Sequence, residues 1–293
     1  MDYQSLIIIP EHTQVYRTLD GLASEASVVC FSGLPAVGKS LYIQQFSYLA
    51  LSKGRKITTL QWDIARQAFE TEDMLSRYPE AEGITNPVIR KACGLWARKA
   101  VYDWSRQNED PEALLIIEAP LIGNRLVELA ASIQDEAEIF LSGQAVQFVL
   151  PVPTAIVRAA IEIRRRETTS APKHAQEKAD ASPFVVAVLA KKLCEVAVRL
   201  AYPGPAQWHE YDPLLYEFVY REVLKYRNFH ILKIDFLVDS KDSVYAFDGS
   251  EKRILVPGVK DTADSIKVVE SIFPAADQLQ ASVDTWYLVD PAK

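Results

Sequence analysis

The stretch SVVCFSGLPAVGKS, residues 27–40, begins as an apolar run and ends in a loop punctuated by glycine. Val28, Val29, Cys30 and Phe31 are apolar without alternation. A strand buried on both faces has that pattern, and such strands belong to parallel sheets. Gly33, Gly38, Lys39 and Ser40 then fit the spacing G-x-x-x-x-G-K-[ST]. Residues 39–52 read as a helix, with Gly54 as its stop. Strand, glycine loop and helix in immediate succession favour an anion. The glycines let the backbone approach a ligand closely, and the loop N–H groups meet the positive end of the helix. Lys39 offers a mobile cation to β- and γ-phosphates, and Ser40 offers a hydroxyl to Mg2+. The expected nucleotide contacts are Gly33, Ala36, Val37, Gly38, Lys39, Ser40 and Leu41.

Four further apolar runs read as strands: residues 56–63, 113–120, 145–153 and 229–238, with helical stretches between them. This alternation predicts right-handed βαβ crossovers and an α/β fold, a three-layer doubly wound parallel sheet. SLIIIP, stopped by Pro10, reads as a short strand or an edge segment, and EHTQVYRTLDGL, residues 11–22, as a helix closed near Gly21. In residues 64–112, Asn86 caps a helix, Pro87 sits at its first position, and Ile89, Cys93, Trp96 and Ala100 share a face. Residues 64–112 are read as an acceptor-side insertion and residues 154–185 as a lid. In the tail a hairpin around Asp248-Gly249 and a helix over 262–273 are expected. The simplest division is a nucleotide-binding domain over 1–238 and a C-terminal appendage over 239–293.

The composition, 293 residues at 49% hydrophobic and 24% charged, is that of a globular chain. A net charge of −7 supplies no sequence-wide basic field for a polyanion, so nucleic acid is not an expected partner. Cys30, Cys93 and Cys194 are far apart, without a C-x-x-C pair, and read as reduced buried thiols. The run Leu6 to Ile9 is too short for a signal or membrane segment, so a cytoplasmic protein without membrane partners is expected.

A phosphate cradle needs catalytic partners. Glu118 closes the strand ALLIIEAP and reads as a Mg2+-shell carboxylate or a simple loop acid. Asp63, ending the second strand, reads as a base for an attacking hydroxyl or as a helix cap. Arg66 and Arg125 read as clamps on an anionic acceptor; the alternatives are a pair with Asp63 for Arg66 and a surface position for Arg125. In VRAAIEIRRRET, Arg158, Glu162 and Arg165 share one helical face and Ile156, Ala160 and Ile163 another. Arg158, Arg164, Arg165 and Arg166 are the cations a lid would bring over a transferring phosphoryl group; a solvated helix end is the other reading.

Together these stretches resemble P-loop kinases of the nucleoside-monophosphate-kinase-like group. SGLPAVGKS is similar to the G-[LF]-P-G-x-G-K-[ST] loop of the zeta-toxin, chloramphenicol-phosphotransferase and polynucleotide-kinase-like branch. LLIIEAP is similar to the I-V-E-G strand of uridine-kinase-like enzymes, and the run at 164–166 resembles their lid arginines. The resemblance spans residues 27–238 and implies a P-loop NTPase fold, ATP and Mg2+ as cofactors, and Asp63 as the acceptor's base. Lys39, Asp63, Glu118 and Arg165 are then the catalytic set, with Ser40 and Glu118 at the metal. The expectation is an ATP-dependent kinase of a small hydroxylated or anionic molecule. A P-loop ATPase or a nucleotide-dependent regulatory protein is the alternative, with the appendage as a surface for a protein partner or a second copy.

Overall fold

The computed structural model describes residues 2–81, 83–171, 174, 177, 183–206, 211–238, 243–244 and 253–290. Among these residues, six strands form one all-parallel sheet in the order β5-β4-β1-β3-β2-β6. They are β1 (Val28–Ser32), β2 (Lys56–Gln61), β3 (Ala113–Ala119), β4 (Val146–Pro153), β5 (Phe229–Ile234) and β6 (Arg253–Ile254). The chain leaves β1, travels outward to β2, returns to β3 beside β1, and then crosses to β4 on the other side of β1. Strand order therefore reverses at β1, and ligands of open α/β sheets gather beyond strand ends at such a reversal.

Alternate strand residues feed two cores. Val28 and Cys30, with Leu115 and Ile117, pack on one face of the sheet; Val29 and Phe31, with Leu114 and Ile116, pack on the other. The second face is covered by α1 (Gln14–Glu25) and α2 (Lys39–Ser52), where Phe46 lies 5.5 Å from Phe31, ring centre to ring centre. The first face is covered by α3 (Trp62–Phe69), with the short α4 (Glu72–Arg77) beside it, and by α5 (Pro87–Gln107). It is completed by α8 (Pro183–Arg199) and α9 (Pro213–Val223), which follow the one-turn α6 (Glu138–Leu141) and α7 (Ala155–Ser170). Helices on both sides of a parallel sheet make a three-layer α/β fold. Burying each large apolar side chain contributes about 1.5–3 kcal/mol. At the far end of the sheet, buried Arg55 donates to the carbonyls of Ala23, Ser24, Ala26, Glu112 and Ala113, tying α1 to the starts of β1 and β3.

Several boundaries differ from the sequence reading. SLIIIP forms a 3-10 turn over Gln4–Leu6 and no strand. Its backbone is bonded by a side chain instead: the Ile8 N–H donates to Gln45 Oε1 at 2.7 Å. α1 starts one residue after its cap, Thr13, and runs through Gly21 to Glu25. An exposed helical glycine costs about 1 kcal/mol relative to alanine. The burial of Val15, Leu19, Leu22 and Ala23 outweighs that cost. β2 stops at Gln61 because Trp62 turns into the core as the first residue of α3, leaving Asp63 in the first helical turn. There a carboxylate complements the helix dipole. β5 stops at Ile234 rather than at 238. On α7, Val157 turns inward, whereas Ile156 and Ile163 are solvent-exposed.

The tail joins the main body. The turn expected at Asp248-Gly249 lies outside the described residues, and β6 pairs in parallel with β2, Thr58 opposite Arg253. α10 (Val259–Ile272) and α11 (Ala276–Asp284) pack against α5. Trp286, Tyr287 and Val289 are buried in the same core as Val28 and Leu115. The three cysteines are free and buried.

α5 carries a close approach at Gly94. Asn86 caps this helix, accepting from the Val88 N–H at 3.0 Å, and the loop after β3 folds over it. Glu128 of that loop is buried, accepts from Asn124 Nδ2 at 3.1 Å and pairs with Lys91 at 3.0 Å. A Cβ on Gly94 would overlap the Glu128 carboxylate. Gly94→Ala is therefore expected to destabilise the fold by about 1–3 kcal/mol, the usual cost of overpacking. Urea unfolding checks this: the midpoint should fall with an unchanged slope.

Candidate functional site

Beyond the C-terminal ends of β1, β2 and β3 lies a cleft of about 400 Å³. That volume suits a drug-sized ligand. Ala36, Gly38, Lys39, Ser40 and Leu41 line it from the glycine loop and the start of α2. The first N–H groups of a helix have no partner inside it, so the end of α2 presents donors to this space. Gly33 and Val37 do not line the cleft: Val37 is fully buried, and Gly33 acts through its carbonyl.

The loop conformation has identifiable causes. Gly33 lies at φ 130° and Gly38 at φ 90°, both in the region that favours glycine. A Cβ on Gly33 would overlap the hydroxyl of buried Tyr216, which comes from α9. Sequence reasoning missed Tyr216, since nothing in its own neighbourhood marks it. Ala36 sits at φ 61° although it carries a Cβ. Left-handed backbone costs a non-glycine residue about 1–2 kcal/mol.

Lys39 is buried, and its ammonium Nζ donates to the carbonyls of Gly33 at 2.9 Å and Leu34 at 2.8 Å. Burial pushes this ammonium down to about 8. Glu118 and Asp63 pull it back up, while Arg165 and Arg158 push it further down. The register puts Glu118 between Phe31 of β1 and Gln61 of β2, so its carboxylate belongs to the middle of the sheet edge. Glu118, Asp63 and Arg165 all line the cleft together with Lys39. Asp63 is the more exposed of the two carboxylates, its side chain 65% accessible, whereas Glu118 is half-buried.

The arginines divide into two groups. Arg164 and Arg165 line the cleft, and Arg164 donates to the Val238 carbonyl at 2.8 Å, tying α7 to the segment after β5. Arg158 does not line the cleft: it is buried, pairs with Glu162 at 2.8 Å and lies over the Tyr211 ring. Arg166 is exposed and also off the cleft. A helix turns 100° per residue, so three consecutive arginines cannot all face one site.

Neither expected acceptor clamp lines the cleft. Arg66 is engaged by both oxygens of Glu70, with Glu80 at 3.6 Å and Asp63 at 3.8 Å. Arg125 lines a separate small pocket with Arg90 and Lys192. The opposite wall of the main cleft is apolar, formed by Ile161, Phe236, Leu237 and Val244, which no motif marked.

Ser40 and Glu118 are oxygen donors on the same cleft. Among the described residues, no group of three or more His, Cys, Asp or Glu side chains is arranged to hold a metal ion. That donor set fits Mg2+ carried largely by water and substrate phosphates, rather than a cation in a protein cage. Among the described residues, no helix is long and apolar enough to cross a membrane.

No protein-family model matches the chain, and no curated protein or solved structure matches it.

The two strained loop positions predict opposite outcomes. Gly33→Ala is expected to cost about 1–3 kcal/mol from overlap with Tyr216 and a positive φ. Ala36→Gly is expected to raise stability by up to about 1 kcal/mol by relieving its φ. Thermal unfolding of the two variants beside the wild type checks both signs.

Proposed function

We propose that the chain is an ATP-dependent kinase with a P-loop fold, transferring the γ-phosphoryl group to a small hydroxylated acceptor. The observation that carries this reading is the convergence of Lys39, Asp63, Glu118 and Arg165 on one cleft at the reversal of strand order. A nucleotide-dependent switch has no acceptor hydroxyl to deprotonate. A cradle combined with an open carboxylate and facing cations suits transfer.

In this reading the triphosphate lies on the loop over residues 36–40, and the base lies against the apolar wall of Phe236 and Leu237. Lys39 exchanges its two carbonyl partners for phosphate oxygens. When bound, Mg2+ would neutralise the β- and γ-phosphate oxygens, held by the Ser40 hydroxyl and, through water, by Glu118. Asp63 accepts the proton of the acceptor hydroxyl as its oxygen bonds to the γ-phosphorus. The bond from that phosphorus to the bridging oxygen breaks, and ADP leaves with the electron pair. Arg164 and Arg165 spread the charge on the transferring group.

Two variants separate binding from chemistry. Lys39→Ala should weaken MgATP binding at least about a hundredfold, since it removes a buried cation from a charged partner. Asp63→Asn should keep MgATP affinity within a few-fold and lower turnover by about 10²–10⁴. Calorimetry gives the affinities, and ADP release over a metabolite library gives the turnover. Wild-type-level transfer by Asp63→Asn would remove its role as base. ATP consumption independent of any acceptor would make the protein a hydrolase.

The Lys39 environment also fixes a pH dependence. The free protein gives up the Lys39 proton near pH 8, whereas bound polyphosphate favours the charged form and holds it. Binding is therefore coupled to proton uptake above that pH. MgATP affinity should be level below pH 8 and fall as pH rises through it, approaching tenfold per unit. Titrations from pH 7 to 9.5 check this. An affinity that rises over the range would contradict it.

A further inference from the structure

The part of the main cleft built by the ends of β2 and β3 carries acids and amides. Gln61, the last residue of β2, lines it with Asp63, Ile64 and Gln67 of α3, while Glu118 comes from β3 and Pro120 follows that strand. Asp63 and Gln67 stand one helical turn apart, so their side chains share a face, with Cβ atoms about 5–6 Å apart. Gln67 is exposed and Gln61 half-buried, so both amides are open to a ligand. Among the described residues, every cation on the cleft comes from elsewhere: Lys39 from the start of α2, Arg164 and Arg165 from α7.

Arg66, the single cation of α3, does not offset these acids. Both oxygens of Glu70 hold it, Glu80 lies 3.6 Å away and Asp63 3.8 Å away. One guanidinium therefore faces three carboxylates, and the helix that presents Asp63 has an excess of negative charge. Lys39, Arg164 and Arg165 are the cations that polyphosphate would draw on. What is left for an acceptor beside Asp63 is a negative field and two amide side chains. An anionic acceptor would set a second negative charge there. A like charge favours the protonated carboxyl, which takes no proton from a hydroxyl. An ammonium does the reverse and keeps Asp63 ionised. Its three N–H donors suit amide and carboxylate oxygens. It has no lone pair, so the hydroxyl remains the attacking group.

Resting on the transfer reading above, we infer that the acceptor is an amino alcohol. Its hydroxyl meets Asp63, its ammonium takes the amide oxygens of Gln61 and Gln67, and its alkyl stem lies against Ile64 and Pro120. A stem of three carbons separates oxygen from nitrogen by about 5 Å, which matches one turn of α3. The amides alone would accept a neutral diol as readily, because each carries both donors and an acceptor. The surrounding carboxylates are what favour the cation.

The test is ligand-observed NMR on the full chain with Mg2+ and a non-hydrolysable ATP analogue bound, so that the phosphate cations are occupied. The probes are 3-aminopropan-1-ol, propane-1,3-diol and 3-hydroxypropanoate, alike in length and different in charge. The amine should bind saturably and about fivefold more tightly than the diol, and the hydroxy acid should bind most weakly. Gln67→Glu should tighten the amine by about threefold to fivefold, and Gln67→Lys should weaken it by a similar factor while strengthening the hydroxy acid. Circular dichroism confirms that each variant is folded. A diol or hydroxy acid that binds as tightly as the amine would overturn the proposal. So would an amine that does not saturate, or one whose affinity ignores the charge at position 67. ADP release from MgATP with each alcohol separates this from the transfer reading. Release driven by the hydroxy acid alone would keep transfer and remove the amino alcohol. An amine that binds in the expected order without driving release would end the transfer reading while the charge preference stands. An analogue that fails to bind would also end that reading, and the amine, the diol and the two Gln67 variants are then compared on the free protein.

Discussion

A buried ammonium resting on two backbone carbonyls holds this site together. Taking a charge out of water costs several kcal/mol unless it is bonded. Lys39 recovers part of that cost from the carbonyls of Gly33 and Leu34, at 2.9 and 2.8 Å. Those carbonyls point at Nζ because Gly33 occupies φ 130°, and Gly33 is free to do so only because it lacks a Cβ where Tyr216 packs. A tyrosine far along the chain thus sets the conformation of a loop that begins at residue 33. Glu118 and Asp63 favour the charge, while Arg165 and Arg158 oppose it. Such a lysine is poised to exchange its carbonyls for a stronger anionic partner.

Sheet topology supplies the rest of the geometry. Because β3 lies between β1 and β2, Glu118 stands in register with the end of the glycine-loop strand, and Asp63 lies in the first turn of the helix one strand further out. The arginines of α7 reach the same cleft, and Arg164 fixes that helix to the chain after β5. The two pockets divide the cations between them. One set faces the glycine loop, and Arg90, Arg125 and Lys192 lie apart from it on the α5 side.

Local features of this architecture were legible in the sequence, and long-range ones were not. Val28 to Phe31 read as a buried strand because unbroken apolar runs leave few other solutions, and α2 starts where the glycine spacing puts it. SLIIIP failed as a strand because its hydrogen-bonding partner is a glutamine side chain on α2, which no local pattern announces. The pairing of β6 was out of reach for a similar reason: its partner is β2, nearly two hundred residues earlier. Arg66 read as an acceptor clamp or a partner of Asp63, and the fold also sets Glu70 and Glu80 beside it. Arg90 and Lys192 sit on helices a hundred residues apart and obey no spacing rule. Glu118 and Arg165 were visible because a strand end and helix periodicity fix their direction, whereas Asp63, expected to end a strand, lines the cleft from the first turn of α3.

In the proposed function, Lys39 changes partners when a triphosphate arrives. A crystal structure with Mg2+ and a non-hydrolysable ATP analogue tests it most directly. The phosphates should lie over residues 36–40, with Lys39 Nζ withdrawn from the Gly33 and Leu34 carbonyls and within about 3 Å of phosphate oxygens. Lys39 still bonded to both carbonyls, with the analogue bound elsewhere, would contradict it.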